Sequence, residues 1–249
     1  MKIAFSKPTR TAEEQQILFS RFRSFGYNGL QLKNDQYCAS IALPSSFIDQ
    51  WGSDAPAIAS GVITGGRLDE MGIAELRTLF TFAQAVRSER VIFCHAQPRQ
   101  GLSNADIQGF ARILSELGKE AQQHGITLSL HHHYDQPVMY RQDFEVFFEA
   151  VGDQFVKLTV DTAHLVKSGI TNIVEIFRDY HQVIDNVHLK DIAHGEFKVL
   201  GQGNINFTPV FSALREIKFA GWLCADEESG SDLLAAMETC AQFITSQRA

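Results

Sequence analysis

Short apolar runs with a period of two alternate along this chain with longer stretches whose apolar positions recur every three to four residues. The period-two runs predict strands over 1–6, 29–33, 57–64, 91–95, 126–131, 155–161, 183–190 and 221–228. Between them lie helical stripes. Leu18, Phe22 and Phe25 follow Thr11 and Glu14, which have capping-box spacing. Ile73, Leu76, Phe80 and Ala83 mark a helix over 71–88, and Ile107, Phe110, Leu114, Leu117 and Ala121 mark one opened by Ser103 or Asn104. Phe144, Phe147 and Phe148 predict a helix stopped by Gly152. Thr171, Thr208 before Pro209, and Ser231 are expected to cap the last three. The stretch from 34 to 56 is the least regular: 37–42 reads as helical, with Pro44 as an interruption.

Strand starts fall near residues 2, 30, 57, 91, 126, 155, 184 and 222, so the spacings run from 27 to 38 residues. That is the length of a βαβ unit, and strict alternation predicts a parallel sheet. Eight such units in 249 residues predict an α/β fold closed as a (β/α)8 TIM barrel, a single domain over 1–249. An open doubly wound sheet would call for a glycine-rich phosphate turn after the first strand, and the chain has none there.

Barrel closure changes the meaning of the polar residues, because an active site of this architecture lies at the C-terminal ends of the strands. Those ends carry His95; His131 and His133; Asp161 and His164; His188 and Lys190; and Asp226 and Glu228. Of nine histidines, only His124 and His181 precede a strand. In the run 131–133, His131 and His133 share one strand face while His132 takes the other and reads as structural or supporting. Asp226 and Glu228 also share a face; either is a candidate ligand, with Asp226 nearer the strand. Carboxylates with imidazoles suit one divalent ion, Mn2+, Co2+, Zn2+ or Fe2+. Such an ion can stabilise the enediolate formed when a hydroxy-ketone loses its carbon-bound proton, with a nearby base and acid completing the reaction. Isomerisation, epimerisation and dehydration all follow from that species.

Composition narrows the partners. A net charge of −7 and a pI near 5.7 disfavour nucleic acid and anionic membranes. No apolar run reaches membrane-spanning length, and the N-terminus lacks a signal-peptide pattern. Cys38, Cys94, Cys224 and Cys240 are widely spaced with no CxxC pair, as expected for free thiols in the cytoplasm. The expected partner is a small-molecule sugar or polyol, and the chain leaves room for a homo-oligomer.

The motifs GYNGLQL at 26–32, LSLHHH at 128–133, VDTAHL at 160–165, NVHLKD at 186–191, LGQGNINF at 200–207 and GWLCADEE at 221–228 resemble, in order, those of the xylose isomerase-like barrels, the sugar phosphate isomerase/epimerase superfamily of carbohydrate metabolism. The resemblance implies Asp161 and His188 as metal ligands and Asp226 by position. It implies His164 as a substrate-contacting or ligand-supporting residue, and Lys190 and the loop holding Gln202 on the substrate side. His131 stands where relatives keep a strand-five glutamate, so it is expected to hold the metal differently or to act as the base. The expected catalytic residues are His131, His164 and Lys190. The expected substrate contacts are His95, His133 and Gln202, and the expected ligands come from His131, Asp161, His188, Asp226 and Glu228. The leading expectation is a metal-dependent isomerase or epimerase of a small keto sugar or keto polyol. The alternatives are a lyase, since the chain is most similar to the branch containing inosose dehydratases, and a sugar-binding barrel without catalysis. An apurinic-site endonuclease of the same fold is disfavoured by the acidic charge.

Overall fold

The computed structural model describes residues 1–151 and 155–248. Seven strands, β1 (Lys2–Ser6), β2 (Gly29–Leu32), β3 (Gly61–Gly66), β4 (Arg90–His95), β5 (Thr127–His131), β6 (Val156–Asp161) and β7 (Ile184–Leu189), precede a hairpin of β8 (Asp191–Ala193) and β9 (Glu196–Lys198). The last barrel strand is β10 (Trp222–Asp226). The barrel closes by pairing β10 with β1, and its neighbouring strands run parallel throughout. Helices α1 (Ala12–Arg21), α2 (Pro44–Trp51), α3 (Ala55–Ile58), α4 (Glu70–Ala85), α5 (Asn104–Gln123), α6 (Arg141–Ala150), α7 (Thr162–Lys167), α8 (Ile173–Asp179), α9 (Thr208–Glu216) and α10 (Leu233–Arg248), with four short 3-10 turns at Phe22–Phe25, Asn34–Gln36, Cys38–Ser40 and Gly52–Asp54, complete the element list. Their buried faces, such as Leu76, Leu79 and Phe80 of α4 and Ile107, Leu114 and Leu117 of α5, join one hydrophobic core with outward strand residues such as Val91 and Phe93.

The departures from expectation have local causes. Pro44 begins a helix instead of interrupting one, because its fixed φ suits a first turn and it needs no N–H there. Pro56 does the same in α3, so β3 starts at Gly61 and not at Ala57. Thr208 lies inside the first turn of α9, with Phe207 as the capping residue. Asp232, not Ser231, accepts the Ala235 N–H at the start of α10. The helical segment after β6 is split: α7 begins on the strand's last residue, and α8 follows Asn172. Gly152, expected as a helix stop, lies outside the described residues. His194 and Gly195, both at positive φ, make the two-residue turn of the unexpected hairpin.

Two features of the barrel interior bear on the mouth. Three apolar side chains, Ala4, Trp222 and Cys224, cluster together. Beside them runs a buried polar chain. Arg90 pairs with Asp185, Asp185 accepts from Ser129, and Ser129 bonds Thr159. Asn186 then links Thr159 to Gln31. Each residue along it is bonded to the next, and Arg90 Nε alone among these side-chain polar atoms is buried without a partner.

Candidate active site at the barrel mouth

Alternation on β2, β4, β5, β6, β7 and β10 turns one side chain of each strand end inward. Lys33, Cys94, His131, His188, Lys190, Asp226 and Glu228 line one cavity of about 230 Å³ with His133 and His164. His131, Asp161, His188 and Asp226 are buried, and each offers one ligand atom within 4.8 Å of the others. Atoms bound to one ion at ~2.0–2.2 Å lie roughly 3.3 to 4.4 Å apart, so the group must draw in somewhat to hold one.

The ligand atoms are prepared by their neighbours. Asp161 Oδ1 accepts the His164 N–H at 2.9 Å and caps α7. Its Oδ2 is buried without a hydrogen-bond partner, 3.6 Å from His131 Nε2 and 4.0 Å from His188 Nδ1. His188 Nε2 lies 2.8 Å from Gln31 Oε1, which can only accept, so the imidazole carries its proton on Nε2. Nδ1 is left as a bare lone pair, unpartnered and 3.5 Å from Asp226 Oδ2. An orphaned carboxylate oxygen and an orphaned imidazole nitrogen, both buried and converging, fit a cation better than they fit protein alone. His132 faces away, as its parity predicts: its Nε2 accepts the Asp161 N–H at 2.9 Å, and its ring packs on Phe144.

Electrostatics sorts the remaining groups. Burial pushes His131 down to about 4, and burial also holds His164 well below its usual value. These imidazoles are neutral near pH 7, the form that donates a lone pair. Burial resists ionisation of Asp161 and Asp226. The neighbouring His164 and Lys190 at the first, and Lys190 and Lys33 at the second, nonetheless keep both well below the carboxylate range. Lys190 Nζ lies 2.6 Å from Asp226 Oδ2, 2.8 Å from Glu228 Oε2 and 3.7 Å from Asp161 Oδ2. Lys33 Nζ lies 2.7 Å from both Asp226 Oδ1 and Glu228 Oε1. Burial opposes charge on both lysines, but the carboxylates outweigh it and raise both above the ordinary lysine value. Both lysines thus contact Asp226 and Glu228 alike; Asp226 is buried with its Oδ2 near His188, whereas the Glu228 side chain is a third exposed.

His133 and His164 form the opposite wall, with ring centroids 3.6 Å apart. His133 Nδ1 is 2.7 Å from the Tyr134 carbonyl oxygen, which again can only accept. The proton is thereby fixed on Nδ1, and Nε2 is a lone-pair acceptor. His164 Nε2 is buried without a protein partner.

Two expected substrate contacts lie elsewhere. His95 packs outward between Phe93 and Phe110, one position out of phase with Cys94, which does line the cavity. Gln202 is exposed, and its loop instead wraps Asp191, whose carboxylate accepts N–H groups from Ile192, Gly201, Gly203 and Ile205 at 2.8–3.1 Å. Lys33 and Gln31 are the residues the strand-end reading missed. Both sit at the end of the second strand, where the same rule applied.

An eight-stranded parallel barrel with buried histidines and aspartates at its C-terminal mouth defines the class. A sequence profile described as xylose isomerase-like TIM barrel matches residues 23–246, and the chain belongs to that family. It is 32% identical over 147 residues to the inosose dehydratase of Clostridium botulinum (strain Alaska E43 / Type E3), a match covering 51% of this chain and 49% of that one. The chain thus spans about half the length of the curated relatives it matches. Among solved structures, L-ribulose 3-epimerase superposes with a TM-score of 0.80 at 18% identity, covering 100% of this chain and 95% of the other. The IolI protein with a bound zinc atom superposes with a TM-score of 0.77 at 17% identity, covering 100% and 98%. At these identities the two structures are alike in fold.

Proposed function

We propose that this protein is a lyase that removes water from a small keto polyol or keto sugar through an enolate, with one divalent ion held by His131, Asp161, His188 and Asp226. The observation that carries the reading is the asymmetry of the cavity. One wall offers neutral imidazoles and the other a lysine–carboxylate clamp. Two equivalent carboxylates flanking one carbon, the arrangement that serves inversion of a single centre, are not present among the described lining residues. Proton removal from one carbon and hydroxide departure from the next need unlike groups. The similarity to inosose dehydratases and the zinc of the IolI structure support the same reading.

When bound, a divalent ion supplies charge stabilisation for a carbonyl oxygen that gains negative charge as the adjacent C–H is deprotonated. The chain's own residues do the rest. His133 Nε2 takes the proton from the carbon beside the carbonyl, and the C–H electron pair enters the enolate. As the enolate collapses, the β-carbon–oxygen bond breaks with its electron pair on oxygen. The proton held by His133 then passes to that oxygen, and water leaves. Lys190, fixed by Asp226 and Glu228, keeps a permanent positive charge beside the forming oxyanion. His164 Nε2 faces a substrate oxygen.

The test is to incubate metal-loaded protein with a keto-inositol in deuterated water and follow it by NMR and ultraviolet absorbance. An unsaturated, ultraviolet-absorbing product carries the proposal. An epimer deuterated at the carbon beside the carbonyl, with no unsaturated product, moves the assignment to an epimerase. Glu228 facing the cavity opposite His133 would then be the second proton carrier.

A further inference from the structure

A second cavity, of about 380 Å³, adjoins the first. Asn34, Thr64 and Gly65 line both, so the tip of β3 is their common wall. The outer cavity is floored by Tyr37, Leu76, Leu79 and Phe93, and none of the described residues lining it is basic. The inner cavity, at about 230 Å³, is below the ~300–1,000 Å³ typical of ligand sites, whereas the two together fall within it.

The wall between them is low because β3 ends in Gly65–Gly66. Neither glycine is at positive φ, and neither is crowded: an added β-carbon would meet the Cys94 carbonyl oxygen at 3.8 Å and Phe93 at 3.7 Å, ordinary contacts. Backbone geometry therefore does not demand glycine at either place. Glycine weakens a strand, and what it leaves here is space beside the active cavity.

We propose that the outer cavity receives a neutral, largely apolar ring attached to the keto group's carbon skeleton, so that the substrate is a glycoside-sized keto sugar. This rests on the function proposed above and extends it to substrate class. The missing basic side chains argue against a phosphate or carboxylate there, and the floor suits an aromatic or hydrocarbon face.

The probes are methyl and phenyl 3-keto-β-D-glucopyranoside, titrated calorimetrically into metal-loaded protein. The phenyl probe should bind roughly ten- to hundredfold tighter. Gly66→Val, which fills the cavity from the strand, and Thr78→Trp, which fills it from the exposed rim, should each bring the ratio of the two dissociation constants to about one. Equal affinities in the unaltered protein, no binding of either probe, or a phenyl preference that survives both substitutions would overturn the proposal. Dehydration of the keto-inositol without phenyl preference between the glycoside probes removes only the outer cavity's role. Phenyl preference without dehydration of any keto substrate removes only the lyase reading.

Discussion

Gln31 shows how much a single amide controls at this site. Its Oε1 sets the His188 tautomer, and its Nε2 donates to Asn186 at 2.7 Å. Gln31→Leu should weaken divalent-ion binding roughly 10- to 100-fold, the usual effect of removing such a support. Calorimetric titration with Mn2+ checks it, and an unchanged affinity would mean that the tautomer is set by something else. His95 makes the opposite case, a strand-end histidine with no part in the cavity. Burial pushes its imidazole down to about 4 from an ordinary 6.5. The depressed value means that its contribution to stability is complete above pH 6.5 and lost as the pH falls through 4. The difference is roughly 3 kcal/mol across that window. Urea unfolding at pH 7 and pH 4.5 should show His95→Met losing less stability on acidification than the parent, by about 2 kcal/mol, and equal losses would refute the assignment. His95 and Cys94 are adjacent on one strand. Which of them faces inward depends on barrel register, which the local pattern does not carry.

At the level of elements, two carboxylates do more than their strand-end position suggests. Asp161 both caps α7 with Oδ1 and presents Oδ2 to the ligand group, so capping and ligand roles are not alternatives. Asp161→Asn keeps most of the cap while removing the charge. It should cut metal affinity by at least about 100-fold with little change in the far-ultraviolet circular dichroism. Asp191 organises the loop after the hairpin through four backbone N–H groups. Asp191→Ala leaves those donors without their acceptor and should cost about 3 kcal/mol in urea unfolding. A loss below ~1 kcal/mol would mean the loop is held by other contacts. The family resemblance places that loop on the substrate side. In the fold its glycines let the backbone approach a buried carboxylate: a β-carbon on Gly203 would lie 2.2 Å from Asp191 Oδ1.

For the molecule as a whole, the alternation of periods two and 3.6 made the barrel legible, and closure made the histidines and acids at the mouth legible together. Proline at 44 misled locally because the same residue that breaks a helix also begins one. Lys33 was hidden for a different reason. Its importance lies in partners some 190 residues away, Asp226 and Glu228, and only the closing of β1 on β10 brings the second strand near them. The polar chain from Arg90 to Gln31 was hidden likewise, since each member alone reads as an ordinary strand residue. No helix among the described residues is long and apolar enough to cross a membrane.

Anomalous diffraction from crystals grown with zinc tests the ligand group most directly. One peak should appear per chain, within bonding distance of His131, Asp161, His188 and Asp226, and Asp161→Asn crystals should lose it. A peak elsewhere, or none at saturating zinc with the Lys190 ammonium still seated between the carboxylates, would contradict the account.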